Sequence, residues 1–268
     1  MKKSARTATS LAILAAISCG AIAARAEVPV ETWGRTTLPA KYSPHWAWVD
    51  DVSFFHMPDG RSYLVDADSG GFLGTLSTGA LFMHLNLPRS RPEIYAATTF
   101  YSRLNRGTRT DAIVIFDRTN LEAVGEVVIP PKRSTGMPSM AYATLTDDDR
   151  FMAVFNMTPA QSVSIADMVD RKFVGEIAIP GCGMIYSAGP RRLASLCGDG
   201  TLLTVTLGAD GRESTRASSR VFFDPAKDPI TEKAVRIGHT RFFVSVAGIV
   251  HPVGVSGPEL RFDPAWAL

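Results

Sequence analysis

Three stretches of this chain superimpose without gaps: LVDADSGGFLGTLSTG from Leu64, IFDRTNLEAVGEVVIP from Ile115 and IADMVDRKFVGEIAIP from Ile165. In each, an apolar run ends in an aspartate (Asp66, Asp117, Asp167), a polar turn follows, and a glycine (Gly74, Gly125, Gly175) stands eight residues after the aspartate. The steps between equivalent residues are 51 and 50. That is the length of one four-stranded propeller blade. An aspartate at a strand end can accept hydrogen bonds from turn N–H groups, and the turn then sends the chain back antiparallel. More degenerate units follow at TLLTVTLGADGRE (201–213) and GIVHPVGVSGPELRF (248–262). The repeats predict an all-β chain, a β-propeller of about five blade-length repeats over residues 27–268.

Between the repeats lie further alternating runs, RFMAVFNM (150–157) and RFFVSVAG (241–248), and no stretch holds a helical period. The 22 Gly and 17 Pro are scattered as loop punctuation rather than gathered in a linker. Five units imply either a small closed ring or an open, incomplete one with an unpaired sheet edge. The run Asp147-Asp148-Asp149 falls at a strand-to-strand turn and is expected to be a solvated loop, with a calcium site as the alternative.

Residues 1–26 have the charged start, apolar middle and Ala-Arg-Ala end of an export signal, with a middle too short to span a bilayer. Its removal near Ala26 would take four basic residues, leaving 24 Lys+Arg against 26 Asp+Glu. A mildly acidic chain with mixed charges gives no reason to expect nucleic acid or an anionic membrane as partner. An exported, periplasmic chain meets an oxidising compartment. Cys182 and Cys197 have neither CxxC spacing nor a nearby histidine, which favours a disulfide staple over a metal or redox pair and leaves two buried thiols as the alternative.

The words STGALF (77–82), TTFYSRLNRGTRTDAIVIFD (98–117), IPPKR (129–133) and CGDGTLLTVTLGADGR (197–212), with the Cys182/Cys197 segment, resemble the heavy chain of the quinoprotein amine dehydrogenases, the methylamine and aromatic amine dehydrogenase group. The resemblance runs from about Trp48 to the C-terminus. It implies a blade set belonging to a seven-bladed fold, C-terminally truncated by about two blades, and it matches the two cysteines to a heavy-chain disulfide. It further implies an amine dehydrogenase in which tryptophan tryptophylquinone is carried by a separate light subunit. Primary amines would become aldehyde and ammonia there, and electrons would pass to a blue-copper protein such as amicyanin or azurin. The heavy chain would scaffold two light chains in a two-plus-two assembly, wall the substrate channel and supply no catalytic residue.

The residues themselves suggest no separate chemistry. His45, His56, His84, His239 and His251 lack the spacing that puts two metal ligands on one face, and no nucleophile elbow, phosphate loop or dinucleotide fingerprint is present. Phe54 and Phe55 alternate in direction near a strand end, as packing residues or as channel lining; the resemblance sets Phe55 at a channel-lining aromatic. Arg103, Arg106 and Arg109 are either internal ties or a docking surface for the light subunit. The rival function is a stand-alone propeller that binds a ligand or protein on its loops; a metal-centred hydrolase propeller is a third reading.

Overall fold

Every residue of the strands Phe151–Asn156 and Ser162–Asp167 is buried, although side chains on a strand point alternately to opposite faces. Such a strand needs a packed layer on each side, and the chain supplies it by stacking antiparallel sheets. The computed structural model describes residues 36–51, 60–80, 84–136 and 139–268. The expected leader at 1–26, Phe54, Phe55 and His56 lie outside them.

Five sheets follow one another along the chain. The first joins β1 (Trp46–Asp51), β2 (Gly60–Asp66) and β3 (Phe72–Gly79). The second holds β4 (Leu85–Asn86), β5 (Glu93–Tyr101), β6 (Arg109–Asp117) and β7 (Ala123–Ile129). The third holds β8 (Ala143–Leu145), β9 (Phe151–Asn156), β10 (Ser162–Asp167) and β11 (Lys172–Ala178). The fourth holds β12 (Cys182–Ser187), β13 (Arg192–Cys197), β14 (Leu202–Leu207) and β15 (Glu213–Ser218). The fifth holds β16 (Val235–Ile237), β17 (Thr240–Val244) and β18 (Ile249–Gly254), with β19 (Arg261–Phe262) and β20 (Trp266–Ala267) each pairing part of β18. Each sheet is a meander of neighbours in sequence, and the described residues include one 3-10 turn, Met140–Tyr142, and no α-helix. This is the five-blade β-propeller arrangement the repeats predict.

The cores lie between sheets, and alternation assigns each residue to its side. From β9, Phe151, Ala153 and Phe155 meet Leu193, Leu203 and Val205 of the fourth sheet, whereas Met152 and Val154 meet Ile113 and Ile115 of the second. From β6, Val114 and Phe116 turn the other way, toward Leu76 of the first sheet. Tyr186 and Leu202 of the fourth sheet pack on Phe243 and Val253 of the fifth. A buried leucine, isoleucine or phenylalanine contributes roughly 1.5–3 kcal/mol, so these interlayers dominate stability. The outermost strands need no such layer, and β15 is exposed throughout.

The repeat is the hairpin formed by the last two strands of a sheet. Leu64, Ile115 and Ile165 stand opposite Gly74, Gly125 and Gly175, and each pair is followed by a bulge. The aspartates cap the turns: Asp66 accepts from the Asp68 N–H at 3.0 Å, Asp117 from Thr119 at 2.7 Å and Asn120 at 3.1 Å, and Asp167 from Val169 at 2.9 Å and Asp170 at 3.0 Å. The fourth residue after each aspartate is left-handed: Gly70, Leu121 and Arg171, with φ of 70°, 60° and 50°. The second and third of these carry side chains that cross to the preceding sheet. A Cβ on Gly74 would lie 2.6 Å from Leu121 Cδ1, and one on Gly125 would lie 3.3 Å from Arg171 Nη1. Those glycines leave room for the neighbour's turn residue. Gly175 has nothing within 4 Å, so no neighbouring side chain fills that place.

The acidic run is a clasp, not the solvated loop expected from sequence. Asp149 is buried and accepts the Arg89 and Ser90 N–H groups at 2.7 and 2.8 Å, reaching the second sheet. Asp148 meets Arg191 Nε of the fourth sheet at 2.9 Å, and Asp147 takes both terminal nitrogens of Arg236 from the fifth at 2.6 and 2.8 Å. One turn thus binds three other sheets, which a surface turn with freely solvated carboxylates could not do. Cys182 and Cys197 stand directly opposite each other on β12 and β13, Cα atoms 3.9 Å apart, and form a disulfide. Closing a loop of this size contributes about 3 kcal/mol in the chain-entropy account.

Three outcomes follow from these contacts. Hydrogen bonds hold the capping aspartates below the usual carboxylate range: the Asp68 N–H and Ser69 hydroxyl act on Asp66, and the Thr119 hydroxyl and N–H on Asp117. At Asp167 burial pushes upward, and the Asp170 N–H with Arg150 outweighs it. Because the folded values are depressed, their stabilisation is complete above the unfolded pKa of about 4 and is lost as pH falls through the lowered values. Urea midpoints should hold steady from neutrality to about pH 5 and drop below about pH 4, and Asp117→Asn should flatten that drop. Asp149→Ala should cost about 2 kcal/mol in urea unfolding, Asp149→Asn less, and the half-exposed Asp148→Ala under about 1 kcal/mol. Gly74→Ala should destabilise by about 1–2 kcal/mol, whereas Gly175→Ala should be neutral or slightly stabilising.

Candidate functional site

The β5–β6 hairpin separates the three arginines that sequence places together. Its tip, residues 102–108, is closed by the Ser102 N–H to the Thr108 carbonyl at 3.0 Å and by the Thr108 N–H to Ser102 Oγ at 3.0 Å. Leu104 at φ 65° and Gly107 at φ 97° turn the chain, and a Cβ on Gly107 would lie 2.4 Å from Ser102 Oγ. The tip presents Arg103, Leu104 (71% exposed) and Arg106 to solvent. Their combination is an apolar contact flanked by two cations.

Arg109 does something else. Its Nε and Nη2 reach the two oxygens of buried Asp111 at 2.8 Å each, and Nη2 also donates to the Arg133 carbonyl at 2.9 Å. The Asp111 hydrogen bonds push the Arg109 pKa further up. Asp111 also accepts from Thr99 Oγ1 at 2.8 Å and the Arg133 N–H at 3.0 Å. Arg133 Nε donates to Thr99 Oγ1 at 2.9 Å, and burial pulls this guanidinium down to about 10. A buried carboxylate with this many donors is a rigid joint, so the tip stands on a fixed base.

The first strands of the second to fifth sheets converge around a cavity of about 300 Å³ that the sequence did not suggest. Arg241 of β17 forms part of its wall, 8% exposed, with Nη2 donating to the Ser187 carbonyl at 3.1 Å and the guanidinium 4.9 Å from the Tyr186 ring centroid. Its Nε is buried without a partner, and burial together with Arg236 lowers its pKa to about 10. His84 also lines the cavity; burial holds its imidazole neutral down to about 4, and Asn86 Nδ2 lies 3.3 Å from Nε2. The alternation of RFFVSV could have marked Arg241 as inward-facing, since it lies opposite Val253.

Two other described histidines lie apart: His45 Nδ1 pairs with Asp68 at 2.6 Å, and the His251 ring stands edge-on to Phe222. Among the described residues no group of three or more His, Cys, Asp or Glu is arranged to hold a metal ion. Among the described residues, Trp46 of β1 rests on Tyr42, Trp48 of the same strand on the core between the first two sheets, and Trp266 on Phe242. Phe54 and Phe55 lie outside the described residues.

Comparison with known proteins gives the arrangement a lineage. The methylamine dehydrogenase heavy chain (MADH) family matches residues 44–263. The methylamine dehydrogenase heavy chain of Methylorubrum extorquens is 25% identical over 206 residues, covering 76% of this chain and 50% of the relative. That of Paracoccus versutus is 26% identical over 194 residues, covering 72% and 43%. The chain therefore spans half or less of the length of these relatives. Among solved structures, the dihydro-heme d1 dehydrogenase NirN superposes with a TM-score of 0.55 at 15% identity, over 88% of this chain and 46% of that one. A Desulfotomaculum acetoxidans protein of unknown function gives 0.53 at 15% identity, over 79% and 63%. Those likenesses describe the fold, whereas the match over residues 44–263 carries the ancestry: this chain belongs to the methylamine dehydrogenase heavy chain family.

Proposed function

We propose that this chain is the scaffold subunit of a periplasmic amine dehydrogenase, docking a light subunit and walling its substrate channel. The family match across residues 44–263 carries the reading. The disulfide agrees with an oxidising compartment, which export by the leader at 1–26 would provide. No helix among the described residues is long and apolar enough to cross a membrane.

In this reading the exposed tip, with Arg103 and Arg106 around Leu104, meets an acidic surface of the light subunit, while Arg109 and Asp111 fix the hairpin beneath it. Rigid support of an exposed cationic tip lowers the ordering cost of docking. Phe54 and Phe55, outside the described residues, would supply the channel wall as the resemblance implies for Phe55, where a large rigid ring selects amines by shape. The quinone cofactor would be built on the partner light subunit. Tryptophan tryptophylquinone there supplies the carbonyl chemistry that takes a primary amine and water to aldehyde and ammonia, electrons leaving to a blue-copper protein. This chain's part is to bind, orient and exclude water, within a two-plus-two assembly.

The test is co-production with a candidate light subunit followed by affinity recovery and amine:acceptor assay. The complex should carry the activity and the heavy chain alone should carry none. Arg103→Glu with Arg106→Glu should reduce light-chain recovery by about tenfold without moving the thermal midpoint of the isolated chain. Undiminished recovery would remove the docking surface, and turnover by the lone chain would remove the scaffold role.

A further inference from the structure

We propose that the cavity at the convergence of the inner strands binds a small organic anion, a carboxylate on an apolar body, with the Arg241 guanidinium as its anchor. A guanidinium offers five N–H donors in a planar fork, and buried polar groups are paired as a rule. Arg241 departs from that rule: it makes one hydrogen bond, to the Ser187 carbonyl, and its buried Nε makes none. No described carboxylate forms an ion pair with it; Asp147, which acts on it through space, gives both oxygens to Arg236. A cation held in a low-dielectric wall without a counter-ion is a ready partner for an anion that can reach it.

The surroundings select the rest of the ligand. Glu232 and Lys233 line the cavity with one charge of each sign, His84 stays neutral, and Arg241 is the buried cation of the wall. Met140, Ile185 and Val235 supply apolar surface, with the Tyr186 ring beside the guanidinium. Apolar walls favour a carboxylate with a hydrocarbon body over a fully hydrated phosphate. A volume of about 300 Å³ lies at the lower end of the range for small-molecule sites. Bidentate pairing of guanidinium with carboxylate would satisfy donors that are now idle. Nothing in this inference depends on amine oxidation or on a light subunit.

Calorimetric titration of the full chain with benzoate, benzamide and inorganic phosphate tests it. Benzoate should bind, and benzamide, of the same shape without the charge, should bind at least about tenfold more weakly, as should phosphate. Arg241→Gln should cost a similar factor. Because Arg241 is buried, a second variant protects the test from misfolding: Met140→Glu, at a wall residue 76% exposed, adds a repelling charge and should weaken benzoate by at least about fivefold. No benzoate binding up to about 10 mM would overturn the proposal. So would equal affinity for benzamide or phosphate, or unchanged benzoate affinity in a folded variant of either kind.

Discussion

The structure depends on burying both faces of its central strands. A sheet with one wet face can be half polar, but β6, β9 and β10 face a neighbour on each side, so each of their positions must be apolar or internally paired. The polar exceptions meet this demand in part, Asn156 Oδ1 being buried without a partner. Asn156 Nδ2 donates to Ser162 and Ser164 at 3.1 and 2.9 Å, and Asp111 gathers Thr99, Arg109 and the Arg133 N–H. Stacking also explains where charge can sit: on outer strands, on turns, and on inner ends of the sheets where several turns meet.

That geometry suits a subunit whose work is to hold another in place. The interlayers give stiffness, and the hairpin tip borrows it through Asp111, whose partners come from β5, β6 and the loop after β7. A docking residue is most useful when its base does not move, and the tip that carries Arg103 and Arg106 is closed by hydrogen bonds between Ser102 and Thr108.

What could be read in the sequence was local. The capping aspartates and their turns involve neighbours within a hairpin, and the steps of 51 and 50 residues repeat that unit, so period and turn chemistry suffice to find them; the Cys182–Cys197 staple is favoured instead by compartment, spacing and the family resemblance. The clasp made by Asp147, Asp148 and Asp149 was misread because its partners lie 89, 43 and 60 residues away, and nothing in a run of aspartates tells solvent from Arg236. Arg109 was partly legible: it stands two residues before Asp111 on one strand and shares its face, which Arg103 and Arg106 do not. The cavity around Arg241 is assembled from four sheets, and only the fold brings its residues together.

Leu121 and Arg171 fill space that Gly74 and Gly125 leave empty on the preceding sheet. The packing unit is therefore out of phase with the visible blade: it joins the outer strand of one sheet to the turn of the next. Duplicating or grafting a single blade along its apparent borders would separate a side chain from its socket at one seam and crowd a glycine at the other. Recombination that respects the offset would keep both.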